Sequence, residues 1–156
     1  MGLPRAGENA PSFSLKDMSG AGRTLAAIVA EGGALLAFFK VSCPVCQFTF
    51  PYVERIAAGG AMRVFGVSQD SAKATRRFSE EYGVTFPMLL DEESAGYAVS
   101  NAFGITSVPS LVLVDGSGVV ALASEGFVKR DLADLGRRAG VEVFRQDEYV
   151  PEWKAG

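Results

Sequence analysis

The chain of 156 residues has no histidine. Catalysis by a Ser-His-Asp or Cys-His arrangement is therefore excluded, and so is any metal site that needs imidazole. Cysteine is nearly absent too: there are two, Cys43 and Cys46, with two residues between them. Such a pair cannot supply the several bridges that staple small secreted folds, and without a second pair it cannot complete a four-ligand zinc site. Neither sign of charge dominates, with 15 Lys and Arg against 18 Asp and Glu and a net charge of -3. No basic run offers itself to a phosphate backbone, so nucleic acid is not an expected partner. No window approaches the ~20 consecutive apolar residues of a membrane span, and Met1-Gly2-Leu3-Pro4-Arg5 lacks the charged-then-apolar layout of a secretion signal. The chain as it stands is expected to be cytoplasmic, with an extracytoplasmic location as the alternative if a leader or anchor has been removed.

What is present is a 48% hydrophobic chain with no internal repeat and no Pro-, Gly- or Ser-rich linker. That length and composition fit one globular unit, assigned to residues 1–140, followed by a tail at 141–156 whose Phe144, Tyr149 and Trp153 suggest packing on the domain. Residues 10–15 are expected as an edge strand because of Pro11, and 24–30 as a short helix. The apolar run Ala34 to Phe39 matches a central strand covered on both faces. Residues 44–58 turn helical, with Phe48, Tyr52 and Ile56 on one stripe and Pro51 inside. A strand at 62–67, a helix at 71–82, a strand near 86–90 and a helix at 94–103 follow. Strands at 110–114 and 119–123 are joined by Asp115-Gly116-Ser117-Gly118, and a helix at 130–139 closes the unit. This order predicts an α/β, thioredoxin-like fold: a central mixed sheet flanked by helices, with an inserted helix-strand segment.

Cys43-Pro44-Val45-Cys46 follows the central strand and opens a helix. Cys43 falls near the N-cap, Pro44 at the first helical position where a missing N–H costs nothing, and Cys46 a turn later. The positive end of the helix dipole favours a thiolate at Cys43, which assigns it as nucleophile and Cys46 as the resolving thiol. The bland alternatives are inert buried thiols or a structural disulfide, and the strand-to-helix placement argues against both. Ser107-Val108-Pro109-Ser110 puts a proline at the start of a strand, a position where a cis peptide occurs. The dithiol needs no cofactor.

These pieces resemble the TlpA/ResA-like thiol-disulfide oxidoreductases of the thioredoxin superfamily, bordering on the AhpC/TSA peroxiredoxin-like proteins. The resemblance covers roughly residues 7–139. It runs through Glu8 to Phe13, the CPVC site with Phe50-Pro51, Tyr82 to Pro87, and Phe103 to Ser110. It implies that Pro109 is a cis-proline facing the dithiol and that Val108 presents its backbone to a partner chain in β-strand fashion. Pro44 and Val45 would then line the substrate site. The implied partners are a protein thiol or disulfide substrate and an upstream thioredoxin-like electron donor, and family habit implies a reductant.

Three positions depart from the family pattern. Ser42 stands where Trp usually precedes the first cysteine, and Thr49 stands where an acidic residue often serves as proton acceptor. Lys40 replaces a small residue at the strand end; its ammonium would favour a thiolate, or it simply points into solvent. The runner-up function is a thiol peroxidase with Cys43 as the peroxidatic thiolate, but the Pro-x-x-x-Thr-x-x-Cys pattern of peroxiredoxins reads Leu36 and Lys40 here. A third reading, a non-catalytic adaptor, has no use for a reactive dithiol.

Overall fold

The computed structural model describes residues 2–156. Its elements in chain order are β1 (Ser14–Asp17), β2 (Gly22–Thr24), α1 (Leu25–Ala30), β3 (Ala34–Phe39), α2 (Pro44–Ala58), β4 (Arg63–Ser68), α3 (Ala72–Tyr82) and β5 (Met88–Leu90). There follow α4 (Ala98–Ala102), β6 (Ser110–Val114), β7 (Val120–Glu125), β8 (Phe127–Val128), α5 (Lys129–Ala139) and β9 (Trp153–Lys154). Seven strands form one mixed sheet in the order β2-β1-β5-β4-β3-β6-β7, and β8 and β9 form a separate pair. The expected thioredoxin-like arrangement is the one observed.

β3 lies inside the sheet, parallel to β4 and antiparallel to β6. All six of its residues are fully buried. Because successive side chains point to opposite faces, the strand divides between two cores. Leu35, Ala37 and Phe39 meet α2 and α5 residues such as Phe50, Val53 and Leu135, whereas Ala34, Leu36 and Phe38 meet Ile28 and Phe103 on the other face. This two-sided burial is why the strand reads as a continuous apolar run.

α2 is buried on more than one side. Its innermost stripe is Cys46, Thr49, Phe50, Val53 and Ile56. The expected stripe shares only Ile56 with it. Phe48 and Tyr52 instead face Phe127 at ring distances of 5.0 and 5.9 Å, and Tyr52 also meets Phe144 at 5.1 Å. The helix continues through Pro51.

Two expectations shift. Strand β1 starts at Ser14, beyond Pro11, whose missing N–H cannot join a ladder. The predicted helix at 94–103 is split into a single 3₁₀ turn at Glu93–Ala95 and α4. Between them Gly96 and Tyr97 adopt left-handed conformations, with φ of 67° and 51°, and stop the turn from propagating. The short strands β2, β8 and β9 carried no periodicity that a sequence could display.

The tail divides against aromatic expectation. Val143 and Val150 are buried and Phe144 packs on Tyr52, but Tyr149 is 93% exposed and Trp153 63% exposed. A two-pronged clamp secures its middle: Arg55 donates from Nη1 and Nη2 to the two carboxylate oxygens of Glu148, each at 2.8 Å, and Nη1 also reaches Val143 O at 2.8 Å. The guanidinium beside it, with the Arg145 backbone amide second, pulls the Glu148 carboxyl down from 4.5 to about 2. A depressed carboxyl stabilises the folded arrangement above its unfolded value and loses that contribution as pH falls through the folded value. Hydrogen exchange of residues 143–150 should therefore accelerate as pH drops from about 4.5 to about 2, beyond the intrinsic pH dependence of exchange. Glu148→Gln should abolish that extra step, and an unchanged profile in the variant would contradict the clamp.

Candidate functional site

The site lies where the C-terminal ends of β3 and β4 meet the start of α2, a location set by the parallel pairing of Phe39 with Ser68. The chain leaves β3 at Phe39 and enters α2 at Pro44, so Lys40 to Cys43 form the crossing loop. Two side chains fix it: Asp70 Oδ2 accepts the Val41 N–H at 2.8 Å, and Gln47 Nε2 donates to Val41 O at 2.9 Å. Asp70 escaped sequence reasoning. Its position two residues beyond the end of a strand parallel to β3 was the available signal.

Cys43 is the N-cap of α2, and its Sγ accepts the Cys46 backbone N–H at 3.2 Å. An N-cap acceptor satisfies one of the helix's otherwise unpaired donors, and here the acceptor is sulfur. Pro44 occupies the first turn, where its ring suits the backbone. Cys43 is half-buried, while Cys46 one turn on is wholly inaccessible; both are free thiols. Burial, and secondarily its hydrogen bond with Cys43, pushes the Cys46 thiol well above the ordinary thiol range; the Lys40 backbone amide opposes this only in part. Cys46 therefore stays protonated at neutral pH until something removes its proton.

The second wall of the site comes from the loop before β6. The Val108–Pro109 peptide bond is cis, and Val108 O lies 3.4 Å from Cys43 Sγ, which donates to it. Surrounding bonds hold this loop: Thr106 and Ser107 hydroxyls donate to Glu125 Oε1 at 3.0 and 2.8 Å, Ser110 Oγ donates to Ser107 O at 2.8 Å, and the Gly126 N–H donates to Pro109 O at 2.8 Å. The fold thus brings Cys43, Pro44, Val45, Cys46, Val108 and Pro109 to one place.

Two other expected residues stand apart. Thr49 is fully buried and its hydroxyl donates to Val45 O at 2.6 Å, so it serves the helix backbone and offers no surface to a substrate. Lys40 is exposed at the strand end and lines a cleft of about 250 Å³ with Gln69, Tyr97, Ser100 and Val108. A solvated charge of this kind contributes at most about 1 kcal/mol, about a fivefold effect. Lys40→Met should change the rate at which Cys43 is alkylated at neutral pH by no more than about fivefold. A larger drop would show that the ammonium acts directly on the sulfur.

Among the described residues no group of Cys, Asp and Glu could hold a metal ion. What the arrangement can do is exchange disulfides: one thiol is half-buried and faces the Val108 carbonyl, and the other is stored directly behind it.

The chain is similar to several known proteins. ResA, a thiol-disulfide oxidoreductase of Halalkalibacterium halodurans, is 27% identical over 136 residues, covering 85% of this chain and 75% of ResA. The methylamine utilization protein MauD of Paracoccus denitrificans is 30% identical over 118 residues, which are 75% of this chain and 57% of MauD. Among solved structures, MTB DsbF is 29% identical with a TM-score of 0.69, covering 82% of this chain and 92% of DsbF. The AhpC/TSA family model matches residues 6–123, well over half of the sequence and including Cys43, Cys46, Val108 and Pro109, and the chain belongs to the AhpC/TSA family.

Proposed function

We propose that this chain is a thiol-disulfide oxidoreductase that reduces disulfides in proteins. The observation that carries this reading is the half-buried Cys43 sulfur at the start of α2, 3.4 Å from Val108 O, with Cys46 sealed behind it. Cys43 attacks as thiolate on one sulfur of the substrate disulfide. A mixed disulfide forms, and the other substrate sulfur leaves as a thiolate that takes up a proton. Cys46 then loses its proton and attacks the Cys43 sulfur. The Cys43–Cys46 disulfide closes and the second substrate sulfur departs as thiol, so two electrons have passed from the dithiol to the substrate.

Burial of Cys46 favours the reducing direction. Strongly oxidising dithiols owe their character to a stabilised reduced form. Here the low-dielectric surroundings give a Cys46 thiolate no such help, and a thiol of high pKa is the more reactive once its proton is gone. An upstream thioredoxin-like donor would restore the dithiol. Protein disulfides form and persist in oxidising compartments, which makes the extracytoplasmic location the better match to this substrate class. Among the described residues no helix is long and apolar enough to cross a membrane. The peroxidase alternative lacks its threonine: position 40 carries an exposed lysine instead of a hydroxyl beside the sulfur.

The test is a non-reducing peptide map after one equivalent of a protein disulfide is added to the reduced chain. A Cys43–Cys46 linked peptide, with matching appearance of substrate thiols, is expected. No linked peptide and no substrate thiol would overturn the reading.

A further inference from the structure

The backbone acceptor that the proposed substrate would use is already covered by this chain. β9 pairs antiparallel with β8, Lys154 opposite Phe127 and Trp153 opposite Val128. The Lys129 N–H donates to Glu152 O at 2.9 Å, which starts the segment along this path. Lys154 then sets its ammonium 5.3 Å above the ring of Phe48, a residue of α2 two places beyond Cys46. The chain passes over Gly126 so closely that a β-carbon there would stand 2.6 Å from Lys154 O. At Gly156 it lies on the cis-proline loop: a β-carbon on Gly156 would collide with the Val108 carbonyl oxygen and come within 3.3 Å of Ser107 Oγ. This is the same oxygen that faces Cys43 Sγ.

We propose that residues 153–156 form a strap lying across the peptide-docking edge at Val108, and that an extended substrate chain reaches Cys43 only by displacing it. The inference rests on the disulfide-exchange reading, in which a substrate strand pairs with the Val108 backbone. Two different segments cannot occupy one carbonyl edge.

The strap is built to move. Upstream, the tail is secured by buried Val143 and Val150 and by the Arg55–Glu148 clamp. Beyond Val150 it is held by a two-residue ladder, the Lys129 N–H bond to Glu152 O, an ion pair of 3.7 Å between Lys129 and Glu152 and the Lys154 ammonium over Phe48, while Trp153 is largely exposed. Segments with few buried apolar contacts and short exposed ladders open at far lower cost than the whole domain. The strap therefore acts as a specificity device: a small reagent reaches the half-buried Cys43 beneath it, while an extended chain is slowed by the fraction of time the strap is closed.

The test uses a peptide of extended sequence whose single cysteine is activated as a thiopyridyl disulfide. Cys43 displaces thiopyridine from it whether or not proteins are the natural substrate, so the readout stands apart from the proposed activity. Adduct formation at Cys43 is timed in the full chain, in a chain ending at Glu152 and in Gly156→Val, whose side chain cannot share space with Val108 O. A closed fraction of about 90% predicts adduct formation about tenfold faster in the shortened chain. Gly156→Val should be faster in the same sense, and iodoacetamide alkylation should stay within about twofold in both, since that reagent does not use the edge. Equal or slower peptide reaction in both variants would overturn the strap and make the segment part of the docking surface. Failure of the full chain and both variants to reduce an unactivated protein disulfide would instead strike the oxidoreductase reading.

Discussion

In a single-turnover reaction with a protein disulfide, Cys43→Ser is expected to lose all thiol-disulfide exchange, whereas Cys46→Ser is expected to perform the first step and stop. The asymmetry follows from position. Cys43 caps α2 and is half-buried, so it is the sulfur a substrate can meet; Cys46 is fully inaccessible and cannot be attacked or make the first attack. In Cys46→Ser the substrate remains covalently attached to Cys43, and a non-reducing gel should show a 1:1 adduct that a small thiol releases. In the reduced wild-type chain, Cys43 should also be the thiol alkylated first. Preferential alkylation of Cys46, or an adduct trapped by Cys43→Ser, would reverse the assigned roles.

The second large effect is on stability. Phe50 lies one turn beyond Cys46, with no exposure, and its ring centroid is 4.5, 5.4 and 5.7 Å from those of Phe39, Phe78 and Phe86. It joins α2 to β3 and α3. Removing such a side chain forfeits its transfer free energy and leaves a cavity that the neighbours fill only in part, so Phe50→Ala should cost about 3–5 kcal/mol, or about two to four orders of magnitude in the unfolding equilibrium. A urea midpoint that falls with an unchanged slope would show it. Because the same helix turn seals Cys46, the variant should also expose that thiol to alkylation at a rate set by local opening. A loss under about 1 kcal/mol would mean that the aromatic cluster can collapse into the space.

The contrast between Phe50 and the tail explains what could be read in advance. The continuous run at Ala34 to Phe39 and the proline-started helix at 44–58 were legible because burial on both faces and N-terminal chemistry leave direct marks on composition. The Val108-Pro109 pair was a weak mark as a strand-start proline alone; it became legible beside the CxxC, and its place facing the dithiol came from the family resemblance. Thr49 was assigned to the site from its offset to Cys46, but its hydroxyl turns back to Val45 O, a choice that helix packing makes and spacing cannot show. Asp70 and Gln47 reach the Cys43 loop through space, from beyond a neighbouring strand and from the following helix turn, and only the sheet topology that sets Asp70 beside the loop, not a local pattern, could have pointed to it. Tyr97 was placed mid-helix because nothing in a tyrosine signals a left-handed backbone. In the tail the aromatic residues drew attention, yet two valines are buried while Tyr149 and Trp153 remain outside. The approach of Gly156 to Val108 is a contact between residues far apart in the chain, carried by backbone alone, and it leaves no trace in the identity of its neighbours.

The most direct measurement of the central claim is a kinetic comparison on the reduced chain: loss of thiols with a protein disulfide, followed beside loss of thiols with hydrogen peroxide at equal concentration. The account predicts that the disulfide oxidises the pair faster, with Cys43–Cys46 as the product. Faster reaction with peroxide, passing through a sulfenic acid on Cys43, would contradict it and make the chain a peroxidase.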